Sequence, residues 1–352
     1  MVTDIRLASH QLAEPEFEHP EDLISWMGAV QAQDYAMSKW AVGLRLKSGT
    51  MDQVNDALAT GKIVRTHVMR PTWHYVAGKD LRWMLQLTGE RVKKAIDSWV
   101  KGSGLDISEE LYTKCNDLIG KMLSGNHCLT REEIETELGR QGMPTADDLA
   151  KRCILRAEVE GIVCSGADKN GKFTYALLDE QVVPAPLLHR EEALARLALC
   201  YFRSHSPATL QDFVWWSGLT VTEAKQAIRL IKQELITEHF DGQEFLIYAN
   251  FRQAKTDDIL HFLPSYDEYL IAYKDRTTVM TAKYHPKAFN RWRIFYPVIL
   301  RNGRIVGNWS KEKKKGELMI TTSFFEPDKK GTKLLKPAEN RYRAFLENEP
   351  LK

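Results

Sequence analysis

Apolar residues recur along this chain in two periods. A spacing of three to four residues marks amphipathic helices, short or alternating runs mark strands, and their order repeats. The repeat is clearest between 191 and 248, where Glu191 to Leu199 opens a helix and Ser206-Pro207-Ala208-Thr209 caps a second one running through Phe213, Val214 and Trp215. Gly218-Leu219-Thr220 makes a turn. A third helix follows, with Thr220 or Thr222 as N-cap and Ala224, Ala227, Ile228 and Ile231 on one face. Leu235–Glu238 and Glu244–Tyr248 then read as strands joined across Asp241-Gly242, a hairpin dipeptide. Helix, helix, turn, helix and β-hairpin is the element order of a winged helix.

Residues 109–178 repeat the scheme. A helix near 109–123 is followed by a second opening at Leu129-Thr130-Arg131-Glu132-Glu133 and a third over 145–160. Their hairpin is Ile162-Val163-Cys164 with Phe173 to Leu177, around Lys169-Asn170-Gly171. A less regular copy spans 21–77, with helices near 21–30, 37–46 and 51–60 and strands Ile63–His67 and Thr72–Val76. Pro184-Ala185-Pro186 reads as a linker. From about 255 the pattern turns β-rich, with strands expected at Val279-Met280, Arg293–Leu300 and Leu318–Ile320, a tight turn at Arg301-Asn302-Gly303-Arg304 and a last helix over 337–347. The expected architecture is α+β, three tandem winged-helix units followed by a β-rich C-terminal region. Its divisions are 1–105, 106–182, 183–252 and 253–352. Such helices fit the major groove of DNA, although winged helices also serve as protein-interaction modules.

Composition narrows this picture by exclusion. With 352 residues and 43% hydrophobic content the chain can build two or three cores. Its start lacks a basic segment followed by an apolar stretch, and no run approaches the roughly 18 apolar residues of a membrane span, so the expected compartment is the cytoplasm. Cys115, Cys128, Cys153, Cys164 and Cys200 are widely spaced and never form C-x-x-C, which predicts reduced, partly buried thiols. A net charge of +2 says little about nucleic acid by itself. Its distribution says more, because residues 1–60 carry nine carboxylates against four Lys or Arg, whereas 283–315 carry ten basic residues against Glu312 alone.

Metal and nucleotide signatures, such as H-E-x-x-H, a P-loop or G-x-S-x-G, are absent from the sequence. His67 and His74 stand on opposite strands of an expected hairpin, but two histidines without a third ligand do not define a zinc site. Gln31-Ala32-Gln33-Asp34-Tyr35 lies at the end of the first amphipathic helix. In a continuing helix Gln31 and Gln33 would diverge by about 200°, whereas on a turning or extended backbone both amides can face one cleft. Residues flanking a helix end are the alternative reading.

Three runs, in order, carry a resemblance. Leu23 to Leu46, with Gln31-Ala32-Gln33 inside it, looks like the active-site segment of the AlkZ/YcaQ family of winged-helix bacterial DNA glycosylases. Ile63 to Val76 resembles that family's R-T-x-x-M-R-G-T-x-H-x-V segment, and Leu263-Pro264-Ser265-Tyr266-Asp267-Glu268-Tyr269 its L-P-x-[FY]-D-E-Y box. Pro71 stands where Gly is usual and Trp73 where Leu is usual.

The resemblance implies a C-shaped fold with a basic, concave channel for double-stranded DNA, no cofactor, no metal and a monomer that associates with the nucleoid when bound. It implies hydrolysis of the N-glycosidic bond of N7-alkylguanine or N3-alkyladenine, bulky adducts and interstrand crosslinks included. It places the catalytic Q-x-Q motif on Gln31 and Gln33. An N7-alkylated guanine is already cationic and leaves as a neutral base, so the enzyme needs chiefly to favour the oxocarbenium-like sugar and place a water. Amide carbonyl oxygens can serve both ends. Asp34 is a rival base, but lies one residue past the position where a Q-x-D variant carries its Asp, which predicts a helix-end or ion-pair contact instead. Arg70, Trp73, His74, Asp267, Arg291, Arg293, Lys313 and Lys314 are candidate substrate or DNA contacts, with Trp73 equally readable as core. A DNA-binding regulator without chemistry is the competing function, and a protein-interaction scaffold a third.

Overall fold

A computed structural model describes residues 1–104, 107–143, 149–254 and 258–349. The chain forms two compact units, one of Asn55–Ala193 and one of Met1–Val54 with Leu194–Lys352.

In the unit of 55–193, strands Ile63–His67 and Trp73–Ala77 pair antiparallel, with Thr66 opposite His74 and His67 opposite Trp73. The chain passes from the second strand straight into the 25-residue helix Gly78–Gly102, which sequence reading did not anticipate. Leu81, Leu85, Thr88, Val92, Ile96 and Val100 form its buried stripe. Helices Glu109–Leu123 and Arg131–Arg140 start where expected, because Ser108 caps the first and Thr130 with Glu133 forms a reciprocal capping box on the second. The third expected helix is Leu149–Val159; positions 145–148 of that expectation lie outside the described residues. The hairpin Val163–Ser165 with Tyr175–Leu177 follows, and Leu129 pairs with Tyr175 in a single bridge. Cys115, Ile119, Ile134, Cys153, Ile154 and Val163 are among the buried side chains that knit these elements together. All five cysteines are free, four of them buried.

The other unit opens with helices Val2–Ser9 and Pro20–Met27, a short extended segment Val30–Gln31, and helix Tyr35–Gly43. After helix Arg190–His205 come Leu210–Ser217 and Val221–Leu230, each begun by a capping box, Thr209 with Asp212 and Thr220 with Glu223. Strands Leu235–Phe240 and Gln243–Tyr248 turn on Asp241 and Gly242, both at positive φ as a tight right-twisting hairpin requires. Ala208 bridges to Leu246 as Leu129 does to Tyr175, so the same succession of elements appears in both units.

A four-stranded antiparallel sheet completes this unit, in the order Glu317–Phe324, Arg304–Lys314, Val298–Arg301, Leu260–Leu263. Asn302 and Gly303, both at positive φ, make the expected tight turn. Helix Lys329–Leu346 packs Tyr342 and Phe345 against Trp40, with ring centroids 5.1 and 5.2 Å apart.

Three expectations for this region are corrected. Val279-Met280 is a buried turn and not a strand; the Val279 carbonyl accepts from the Ile305 N–H at 2.8 Å. The strand expected over 293–300 begins only at Val298: Arg293 turns at φ +60°, Phe295 bridges back to Phe289 instead of joining the sheet, and Pro297 has no N–H to give a ladder. The last helix begins at Lys329 and carries Pro337 inside it. Burial of Gly331, Ala338, Tyr342 and Phe345 along one face outweighs the roughly 3 kcal/mol an interior proline costs. Among the described residues no helix is long and apolar enough to cross a membrane.

Candidate active site

The helix Pro20–Met27 stops at Gly28, whose φ of +79° ends the helical path. A Cβ there would also lie 2.9 Å from the Cβ of Cys200, so no other residue fits without a shift. The chain therefore leaves the helix before the Q-x-Q motif: Gln31 ends the extended pair Val30–Gln31, and Gln33 precedes the next helix. The two glutamines differ in environment. Gln31 is 3% exposed, whereas Gln33 lies at the surface.

Both ends of this segment are held by the Leu263–Tyr269 box. The Gln31 backbone N–H donates to Glu268 Oε1 at 2.6 Å. At the other end Asp34 caps helix Tyr35–Gly43 by accepting from the Met37 N–H at 3.0 Å, and its second oxygen accepts from Ser265 Oγ at 3.0 Å. Asp34 thus makes the helix-end contact its position predicted. The strand Leu260–Leu263 that leads into the box is bonded as well: Trp40 Nε1 donates to the Phe262 carbonyl at 2.6 Å and Trp309 Nε1 to the Leu263 carbonyl at 2.7 Å.

The box is anchored by charge. Asp267 is buried and receives two hydrogen bonds from the fully buried Arg45, at 2.7 and 2.9 Å, the planar fork that arginine makes with carboxylates. It also caps the short helix Glu268–Ile271, accepting from the Tyr269 N–H. That cap orients Glu268, which is wholly buried; its Oε2 accepts from Trp216 Nε1 at 3.1 Å and from His205 Nε2 at 3.4 Å. Tyr269 Oη donates to the Gly303 carbonyl, and Tyr273 Oη to the His205 carbonyl. Because that phenol proton is used, its oxygen accepts from His10 Nε2 at 2.8 Å. Burial, then the proximity of His205, Arg45 and Arg6, holds the His10 pKa well below 6.5, so the imidazole is neutral at pH 7. Sequence reading quoted Glu268 only as part of the box and gave it no role. The one available signal was a Glu flanked by Asp and Tyr in an apolar run.

Arg70, Trp73 and His74 belong to the hairpin of the 55–193 unit. His74 is fully buried; its Nδ1 donates to the Thr72 carbonyl at 2.8 Å, which leaves Nε2 as an acceptor 3.5 Å from the Arg70 guanidinium. Burial, reinforced by the Arg70 charge, holds its pKa well below 6.5. Trp73 is half-buried and packs with the core around Tyr175. His67 lies 4.0 Å from its ring centroid and the Arg65 guanidinium 4.0 Å above it. His67 in turn bonds Glu158 Oε2 at 2.8 Å, and its cross-strand partner is Trp73, not His74. Among the described residues no three His, Cys, Asp or Glu side chains gather as a metal site.

Arg291, Arg293, Lys313 and Lys314 are exposed. Lys313 and Lys314 end the long strand Arg304–Lys314, where Lys314 pairs with Glu312 at 2.7 Å. Nearer the root of that strand Lys311 is half-buried. Its Nζ donates to Tyr342 Oη at 2.6 Å, and burial lowers its pKa against the opposing pull of Asp34.

Comparison with known proteins places these features in a lineage. A family model described as DNA glycosylase AlkZ-like matches residues 24–345, a range that takes in the Q-x-Q segment, the histidine hairpin and the Leu263–Tyr269 box. An interstrand DNA cross-link repair glycosylase of Streptomyces sahachiroi is 25% identical over 334 residues, 88% of this chain and 87% of that one. The solved structure of Streptomyces sahachiroi DNA glycosylase AlkZ has the same fold, with a TM-score of 0.75 over 99% of this chain and 96% of its own, at 20% identity. The chain belongs to the AlkZ-like DNA glycosylase family.

Proposed function

We propose that this glycosylase hydrolyses the N-glycosidic bond of alkylated purines in duplex DNA, N7-alkylguanine and N3-alkyladenine first, with bulky adducts and interstrand crosslinks in the same class. The relative whose name specifies cross-link repair supports the wider substrate range. Gln31 and Gln33 position the water and stabilise the cationic sugar, and the protein acts as a cytoplasmic monomer without a metal. The three helix-plus-hairpin segments, within 1–105, 106–182 and 183–252, serve as winged-helix units that grip the duplex. The 253–352 region adds Arg291, Arg293, Lys313 and Lys314 as phosphate contacts, and Arg70 and Trp73 contact the lesion strand, with the fully buried His74 behind Arg70 and not itself a contact.

The observation that carries this reading is the clamp on residues 31–34. Two hydrogen bonds from a buried, charge-anchored box fix a non-helical glutamine segment at both ends. Electrostatic catalysis depends on such preorganisation, because dipoles already aimed at the developing charge cost nothing to reorient in the transition state. Neutral amides suit a substrate whose leaving group is already cationic: the glycosidic pair of electrons departs with the base, which becomes neutral, and the water that adds to C1′ needs an oriented hydrogen-bond acceptor more than a strong base, because the proton it loses once the C–O bond has formed passes to solvent. Asp267 supports this from inside the box, through Arg45 and the Glu268 helix.

Release of 7-methylguanine from alkylated duplex tests the proposal. The unaltered protein should release the base and leave an alkali-labile abasic site, and Gln31→Ala or Gln33→Ala should each lower the single-turnover rate by roughly 10²-fold or more while duplex affinity stays within a few-fold. No release by the unaltered protein, or full release by both variants, would overturn it.

A further inference from the structure

Between Arg276 and Lys311 the sequence contains no carboxylate, and inside that stretch lies the loop that carries Arg291 and Arg293, proposed above as phosphate contacts, and between them a tryptophan to which that proposal gives no role. After the short helix His285–Ala288 the chain makes a closed excursion from Phe289 to Phe295, which bridge each other. Asn290 locks it: its Oδ1 accepts from the Trp292 and Ile294 N–H groups at 2.9 and 3.1 Å, and its Nδ2 donates to Tyr296 Oη at 3.1 Å. Two backbone bonds, Asn290 N–H to the Ile294 carbonyl and Arg293 N–H to the Asn290 carbonyl, close the ring. Phe289 and Phe295 form the base of the loop, ring centroids 5.2 Å apart, with the Arg276 guanidinium about as close to each.

What this pedestal presents is Trp292, 70% exposed and the most exposed aromatic side chain among the described residues. Isolated exposed apolar residues are ordinary. This one is held on a rigid loop in a segment of uniformly positive charge, with the Arg291 guanidinium 4.6 Å over its ring. A flat π face beside a cation, on a backbone that does not have to be ordered on binding, has the chemistry of a stacking platform for nucleobases, whose adjoining phosphates the positive segment attracts.

We propose that Trp292 stacks on a nucleobase that has lost its neighbour, at the lesion or at the abasic product. The inference rests on the DNA-glycosylase reading above and assigns that reading a base contact which its catalytic glutamines do not supply. An anionic membrane would also attract an exposed Trp among Lys and Arg. Duplex DNA is favoured because Arg291 lies on the ring and the whole device is a compact, hydrogen-bonded loop, where an interfacial anchor would use an amphipathic helix.

The test uses the full chain and two duplexes. One carries 2-aminopurine beside a tetrahydrofuran abasic analogue, and the other is intact. The unaltered protein should bind both and quench 2-aminopurine emission. Trp292→Ala should bind the abasic duplex about tenfold more weakly, with the quenching lost and the salt slope unchanged, and the intact duplex within about twofold. Trp292→Phe should stay within about threefold on both. Equal affinity of Trp292→Ala and the parent for the abasic duplex overturns the inference while leaving DNA binding intact, as does an equal loss on both duplexes. Failure of the parent to bind either duplex at low salt overturns the inference together with the reading beneath it. A blue shift of tryptophan emission on phosphatidylglycerol vesicles that Trp292→Ala lacks, with no such difference on duplex, overturns it in favour of the membrane.

Discussion

Glu268 shows how much of this site is decided by one side chain. Both carboxylate oxygens are engaged without water, one by the Gln31 N–H and the other by the Trp216 and His205 ring nitrogens, in surroundings where an unmet donor costs about 1–3 kcal/mol. Glu268→Ala strands at least two of those donors and should destabilise the fold by about 2–6 kcal/mol, read by chemical denaturation. Glu268→Gln is the more informative change, since it keeps the shape and one acceptor but turns the other oxygen into a donor facing donors, for a cost of about 1–3 kcal/mol. Because Glu268 is sealed from solvent and acts through the Gln31 backbone, the Gln variant should lower the single-turnover rate of base release by about tenfold or more and leave duplex affinity unchanged. A normal rate in a folded Glu268→Gln protein would show that the clamp does not position the glutamines. The Q-x-Q motif was legible in the sequence from its place at a helix end and from resemblance. The clamp was not, because a contact between residues 31 and 268 has no local periodicity to announce it.

At the scale of elements, the legible parts are those whose ends are encoded by side chains. Thr130, Thr209 and Thr220 each begin a helix and each is followed three residues later by Glu or Asp, so a reciprocal pair of hydrogen bonds fixes the start. Asp241-Gly242 and Asn302-Gly303 fix two hairpins in the same local way. The helix Gly78–Gly102 escaped notice because it begins on Ala77, the last residue of a strand, with no capping side chain to mark the change. Val279-Met280 misled for the opposite reason: two apolar residues announce burial, and burial here is achieved by a turn. If local capping sets these boundaries, Thr220→Ala, at an exposed cap, should cost about 1 kcal/mol, whereas Thr220→Ser, which keeps the capping hydroxyl, should be neutral within a few tenths, a difference resolvable by thermal unfolding. Equal transitions for all three proteins would mean that packing of Ala224 and Ala227 alone places the helix.

Over the whole molecule, a formal charge of +2 hides a separation of signs that decides how DNA is bound. The acidic first sixty residues cannot attract phosphate, so affinity must come from local patches, and the 283–315 stretch is the densest of them. Within it the cations are not equivalent. Lys283 is bonded to Glu326 at 2.7 Å and Arg301 to Asp328 at 2.6 Å, so part of their charge is already matched, and Lys311 is turned inward onto Tyr342. Lys314 is likewise paired with Glu312 at 2.7 Å, whereas Lys313 lies at the exposed end of a long hairpin with Lys315 nearby to add to its field. Each phosphate contact releases about one counterion, so the slope of log K against log salt counts contacts made and not charges present. Lys313→Ala should therefore reduce that slope by about 1 and weaken binding equally on damaged and intact duplexes. Lys283→Ala, which removes a cation already neutralised and leaves Glu326 bonded to Tyr284, should change the slope by less than half as much. Fluorescence anisotropy between roughly 50 and 200 mM salt separates the two. Equal effects would mean that the hairpin end is no more than one point in a diffuse positive field, and that the duplex is not seated on it.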